Sequence, residues 1–232
     1  MAVLAFIRCT SISFFLVAEI NAYDMWFGFW APSITYFTGW GWYLWGLYNL
    51  FSLYLYVRHG LGKDPLPASN FREKSTELWK VTTFLFETAT VFQVIITSFF
   101  WLAIFPYYPF PMYFCDYAKH GVPMVFLTIE LVINRIAFEW RHVAVSLITA
   151  FCYFILYITF CLVKGRDVYP FLLLNSWVTY AFFAGVLATI TALHALFYGI
   201  TLLKFKRNYG AKPSPFEMVQ SSVQLSRDHL GA

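Results

Sequence analysis

A chain of 232 residues that is 60% hydrophobic and only 12% charged carries more apolar surface than a soluble core of that length can hide. Hydrocarbon accepts such a surface, and in lipid the backbone must satisfy its own polar groups, which leaves helices or a closed barrel. The net charge of +4 lies in short blocks between apolar runs, the pattern of membrane anchors, and this argues against a nucleic-acid partner.

The apolar runs last about 20 residues, helix length, whereas barrel strands need only about 10 with polar alternation. The expected fold is an all-α polytopic membrane helix bundle of six transmembrane helices, over residues 1–212. A polar C-terminal tail, residues 213–232, follows it. The spans fall at 8–30, 34–57, 81–105, 122–138, 142–163 and 177–203.

In the first span Arg8 is expected at the head of the helix, its charge snorkelling to the interface. There is no basic n-region and no small-residue cleavage site, so a removed signal peptide is not expected. The second span is rich in Trp and Tyr. Gly28, Gly39, Gly41 and Gly46, in and near it, suit close helix approach, as do Gly185 and Gly199 in the sixth span. The long polar segment 58–80 follows the second span. The third span ends at a proline-rich turn, 106–111, which cannot continue a regular helix. The fourth and fifth spans are joined by a very short connection, so they form an antiparallel pair. The four cysteines, Cys9, Cys115, Cys152 and Cys161, include no Cys-x-x-Cys pair, so neither a disulfide framework nor a zinc site is expected.

Lys and Arg set the orientation. Thirteen of the sixteen fall on one side: Arg8, the second connection, Arg135 and Arg141, and the C-terminal segment. Only Lys119, Lys164 and Arg166 fall on the other. This bias puts both termini on the cytoplasmic or matrix side. It is compatible with the endoplasmic reticulum or plasma membrane first and the mitochondrial inner membrane second.

Ionisable residues in hydrocarbon are costly, so each needs a reason. Spans two, four and six begin on the charge-poor face. Thr38 lies near the start of the second and His120 at the entrance to the fourth, with Tyr169 and Pro170 leading into the sixth. An imidazole can remove a threonine proton, and the resulting oxygen can attack an acyl carbon at headgroup level. The plain alternative is a threonine bonded to its own helix and an interfacial histidine. A second polar set, Glu87, Glu130, Asn134, His142 and His194, is expected to meet in the inner half of the bundle. It suits a proton or ion path, or polar contacts between helices. Metal ligation lacks the usual His-x-x-x-His or Glu-x-x-His spacing.

Four stretches taken in order carry a resemblance. They are Tyr36-Phe-Thr-Gly-Trp-Gly-Trp-Tyr-Leu, His120-Gly-Val-Pro-Met, Glu130-Leu-Val-Ile-Asn-Arg and Val168-Tyr-Pro-Phe-Leu. Over residues 8–205 the chain resembles the rolling-stone-like proteins and the related androgen-induced multi-pass membrane protein family. The resemblance implies a threonine hydrolase of lipid esters, specifically fatty acid esters of hydroxy fatty acids. Thr38 would be its nucleophile and His120 its second essential residue, with no cofactor and with membrane lipids as surroundings. The family's hydrolases carry Gly-Gly-x-Trp-Lys-Tyr-Leu-Thr at the nucleophile, and the stretch here is Ala31-Pro-Ser-Ile-Thr-Tyr-Phe-Thr. That places the chain nearer the rolling-stone branch, which is linked to cell fusion in muscle development. Two other readings stay open: a non-catalytic scaffold, fusion factor or accessory subunit with membrane-protein partners, and a transporter built on Glu87, Glu130 and His194.

Overall fold

The structure is a computed structural model, which describes residues 2–26, 35–60, 77–107, 113–133, 136–165, 167–169 and 171–209. The expected tail, 213–232, Gly28 and Asn134 lie outside the described residues. Among the described residues six long helices carry the fold. They are α1 (Ala2–Trp26), α2 (Phe37–Gly60), α3 (Glu77–Phe99), α4 (Phe114–Ile133), α5 (Val143–Lys164) and α6 (Trp177–Tyr209).

Among the described residues three stretches are long and apolar enough to cross a membrane: Glu77–Tyr107, Trp140–Lys164 and Trp177–Lys204. A shorter apolar helix segment spans Leu4–Ala18. Helix α2 has the length, but its many Gly, Trp and Tyr residues lower its hydropathy. Large apolar side chains such as Phe6, Leu102, Val163 and Leu203 are exposed along the helices, and lipid is the solvent that tolerates them. The chain is a polytopic, apolar helical membrane protein.

Helix α2 packs on α3, α1 on α2 and α4, α3 on α4, and α5 on α6. The core is unusually aromatic, with Trp42, Trp45, Tyr48, Phe86, Phe92, Tyr153 and Tyr157 all buried. Close approach depends on two glycines of α2. A Cβ on Gly41 would sit 2.3 Å from Ile96 Cδ1, and one on Gly46 would sit 2.6 Å from the Phe15 ring. Gly185 and Gly199 differ from expectation: a Cβ on either meets nothing within 4 Å, so neither serves helix packing.

Several helix boundaries depart from the sequence reading. Helix α1 begins at Ala2, which carries Arg8 into the second turn instead of the first. Its guanidinium does not snorkel: it is buried at 1% exposure and paired with Glu130. A buried charge with a carboxylate partner inside the bundle is held better than by stretching from that depth to water. Arg8 therefore leaves the set of flanking cations, and the remaining bias is twelve to three.

Helix α4 begins eight residues earlier than expected, at Phe114. The cause is local. Asp116 reaches back to accept the Tyr113 amide at 3.0 Å, the reciprocal half of a capping box. Pro123 sits inside the helix. His120 is thus two turns within α4 and not at its entrance. Helix α6 runs to Tyr209, six residues beyond the expected end.

At the other end of α3 the backbone widens. Phe100–Ile104 form a π-helical turn, closed by the Phe105 amide on the Phe100 carbonyl, and a single 3₁₀ turn, Phe105–Tyr107, follows. Helix α5 ends on Gly165 at φ +63°, a left-handed cap that costs glycine little. All four cysteines are free thiols.

Candidate functional site

Thr38 is the second residue of α2, in the first turn, where amides lack intrahelical acceptors. Tyr169, in the connection before α6, fixes that helix end: its hydroxyl accepts the Phe37 amide at 3.0 Å. The Tyr153 hydroxyl donates to the Thr35 carbonyl at 3.2 Å. The start of α2 is therefore tied to α5 and to the segment before α6.

His120 faces it from α4. Its Nδ1 lies 2.8 Å from the Asp116 carbonyl oxygen, one turn back. A carbonyl only accepts, so in the neutral ring Nδ1 carries the hydrogen. Nε2 is then a lone pair, and it lies 3.2 Å from Thr38 Oγ. The threonine hydroxyl donates to it. Both side chains are partly buried.

Two residues missed at the sequence level hold the imidazole. The Phe100 ring stacks on it, with centroids 3.6 Å apart and planes 15° apart. The Trp101 indole Nε1 donates to the His120 carbonyl at 3.0 Å. Nothing in the sequence separates Phe100 and Trp101 from the other aromatic residues of α3. The only signal nearby is the proline-rich turn just beyond them.

A cavity of about 580 Å³ opens beside the pair, in the size range of small-molecule sites. Thr38 and Phe100 line it, together with apolar residues of α3 such as Ile95 and Phe99 and of α6 such as Phe183 and Leu193. Among the described residues no Asp, Glu, Lys, Arg or His lines it. A hydroxyl with a basic nitrogen behind it, at the wall of an apolar chamber, can attack an electrophile whose remainder is hydrocarbon.

The second polar set divides in two. Glu87 accepts from the Glu139 amide at 3.1 Å and from His142 Nδ1 at 3.0 Å, and its carboxylate is 3.5 Å from His194 Nε2. His194 Nε2 also donates to the Glu139 carbonyl at 3.0 Å. Glu87, His142 and His194 therefore meet around the α4–α5 connection. Glu130 does not join them. It is buried against Arg8 and the Tyr48 hydroxyl, and Arg8 also donates to Tyr48 at 2.7 Å. The two groups diverge because Glu130 faces α1 and α2, whereas Glu87 faces the connection. Among the described residues no group of His, Cys, Asp and Glu is arranged to hold a metal ion.

Comparison of the chain with protein-family models, with curated proteins and with solved structures finds no match. The class the fold defines is that of polytopic helical membrane proteins. Any narrower statement rests on the chemistry of the site.

Proposed function

We propose that this protein is a membrane-embedded acyl hydrolase of the threonine type, cleaving long-chain lipid esters with Thr38 as nucleophile and His120 as general base. The observation that carries the reading is the 3.2 Å contact between Thr38 Oγ and a His120 nitrogen whose partner nitrogen is committed to a carbonyl, at the wall of an apolar cavity.

The chemistry closes without a cofactor. Nε2 takes the hydroxyl proton as Thr38 Oγ bonds to the ester carbonyl carbon. Charge develops on the former carbonyl oxygen near the positive pole of the α2 N-terminus. The C–O bond to the alcohol breaks, and the alcohol leaves with the proton held on Nε2. Water then attacks the acyl-threonine, giving its proton to Nε2, and the carboxylic acid departs as Thr38 regains its hydrogen. The cavity receives the hydrocarbon part of the substrate, which reaches it sideways from the bilayer. Fatty acid esters of hydroxy fatty acids, the substrates implied by the resemblance to the androgen-induced family, combine such a chain with an internal ester.

The reading includes six spans with both ends on the cytoplasmic or matrix side. The twelve-to-three distribution of flanking cations supports it. The hydrolase reading is preferred to the transporter because none of Glu87, Glu130 and His194 is among the residues that line the cavity, and Glu130 is buried against Arg8 and Tyr48.

The test is hydrolysis of a branched fatty acid ester in lipid nanodiscs by wild type, Thr38→Ala and His120→Ala. Release of free fatty acid by wild type alone supports the assignment. Equal turnover by Thr38→Ala removes Thr38 from the mechanism, and no turnover by wild type refutes the hydrolase and leaves the non-catalytic scaffold.

A further inference from the structure

We infer that the π-helical turn Phe100–Ile104 is the positioning element of His120, and that a chain held in the cavity acts on the imidazole through Phe100. The inference rests on the hydrolase reading above and adds to it a means by which the bound substrate controls the base.

The turn has two faces that matter. Phe100 lies flat on the imidazole at 3.6 Å and is at the same time part of the cavity wall. Leu102, Ala103 and Ile104, from the same turn, line the cavity too. Trp101, between them, holds the His120 carbonyl at 3.0 Å. In a regular helix consecutive side chains diverge by about 100°. The wider turn lets two neighbours, Phe100 and Trp101, address one residue of α4. Single π-helical turns recur at functional sites for such reasons.

The geometry shows what Phe100 contributes. The Nδ1 bond to the Asp116 carbonyl anchors one end of the imidazole but leaves the ring free to rock about that bond. A phenyl ring pressed on its face removes this freedom and keeps Nε2 aimed at Thr38. Because the same ring borders the cavity, an acyl chain that fills the chamber presses Phe100 onto the imidazole, while an empty chamber lets it relax. Phe100 touches neither the reacting oxygen nor the ester and is a positioning residue. The device ties the strength of the base to the presence of a long chain, so short esters bind the pair without activating it fully.

Alkyl fluorophosphonates of two lengths, ethyl and dodecyl, test this on the full chain in nanodiscs. In that reaction Thr38 Oγ bonds to phosphorus, its proton passes to His120 Nε2, and the P–F bond breaks with loss of fluoride. The maximal inactivation rate and the half-saturating concentration are measured separately. The inference expects the wild-type maximal rate to be about tenfold higher with the dodecyl probe, a part of the roughly hundredfold that a misplacement of about 1 Å can cost. Phe100→Leu keeps an apolar wall but loses the flat ring. It should lose the chain-length gain in maximal rate while the dodecyl probe still binds more tightly. Phe100→Tyr should restore the gain, which a merely structural wall residue would not require. Trp101→Phe should lower the maximal rate with both probes. A wild-type adduct on Thr38 whose maximal rate is independent of chain length, or is unchanged in Phe100→Leu, overturns the inference and leaves the hydrolase reading intact. Absence of any wild-type adduct on Thr38 overturns both.

Discussion

Arg8 and Glu130 form an ion pair in the interior of the bundle although 122 positions separate them in the chain. The Tyr48 hydroxyl donates to the same carboxylate, and the Arg8 guanidinium also stacks over the Tyr48 ring at 4.5 Å. One cluster thus fastens α1 to α2 and α4. Removal of one member of such a pair leaves an uncompensated charge at a cost of about 3–5 kcal/mol, whereas replacing both with apolar residues is often near neutral. Arg8→Met or Glu130→Met alone should therefore sharply lower the thermal midpoint in detergent, and the double variant should recover most of the loss. Additive losses in the double variant would show that the charges do not act as a pair.

Glycine packing gives an internally controlled comparison. In Gly46→Ala the new methyl falls on the rigid Phe15 ring, and overpacking of this kind costs about 1–3 kcal/mol. Gly185→Ala meets open space and should stabilise α6 by up to about 1 kcal/mol through helix propensity. Thermal unfolding of the two variants should shift in opposite directions. A loss of similar size in both would mean that α6 has a neighbour at Gly185.

Glu87 holds the short connection between α4 and α5 by accepting from the Glu139 amide and His142. Glu87→Ala leaves both donors without that acceptor, and a buried donor left unmatched costs about 1–3 kcal/mol. Amide hydrogen exchange at residues 136–142 should accelerate by about tenfold, the factor for 1.4 kcal/mol, with α5 beyond its first turn unchanged. Unaltered exchange at Glu139 would remove Glu87 from this role.

The charge distribution predicts the sidedness of two exposed lysines. In a background lacking the four native cysteines, Lys80→Cys and Lys164→Cys should react with a membrane-impermeant maleimide from opposite faces of a sealed vesicle. Labelling of both from one face contradicts the proposed topology.

These sites were legible in the sequence to different degrees, for physical reasons. Hydropathy located all six helices to within a few residues at most ends, because a long apolar run has one economical backbone. It misplaced the start of α4, because Asp116, Lys119 and His120 interrupt the apolar run there, while the cap is Tyr113 with Asp116 three residues on. Topology brought Thr38 and His120 to one end of the bundle, since both lie near the ends of helices that start on the same face. The partners of Arg8 were not legible. Burial of a charge depends on a carboxylate supplied by a distant helix, and local sequence suggested only snorkelling. Phe100 and Trp101 were hidden for another reason: with 22% aromatic residues, no ring stands out until a π-helical turn aims two of them at one imidazole.

The central claim is a covalent one, that Thr38 Oγ is a nucleophile driven by His120. Mass-spectrometric mapping of the site modified by a long-chain fluorophosphonate, in wild type, Thr38→Ser, Thr38→Ala and His120→Ala, tests it most directly. The account predicts one adduct, on Thr38 in wild type and on the substituted serine in Thr38→Ser, with loss of labelling in Thr38→Ala and severe loss in His120→Ala. A wild-type chain that takes up no probe at residue 38, or an equal adduct yield in Thr38→Ala at another residue, would contradict it.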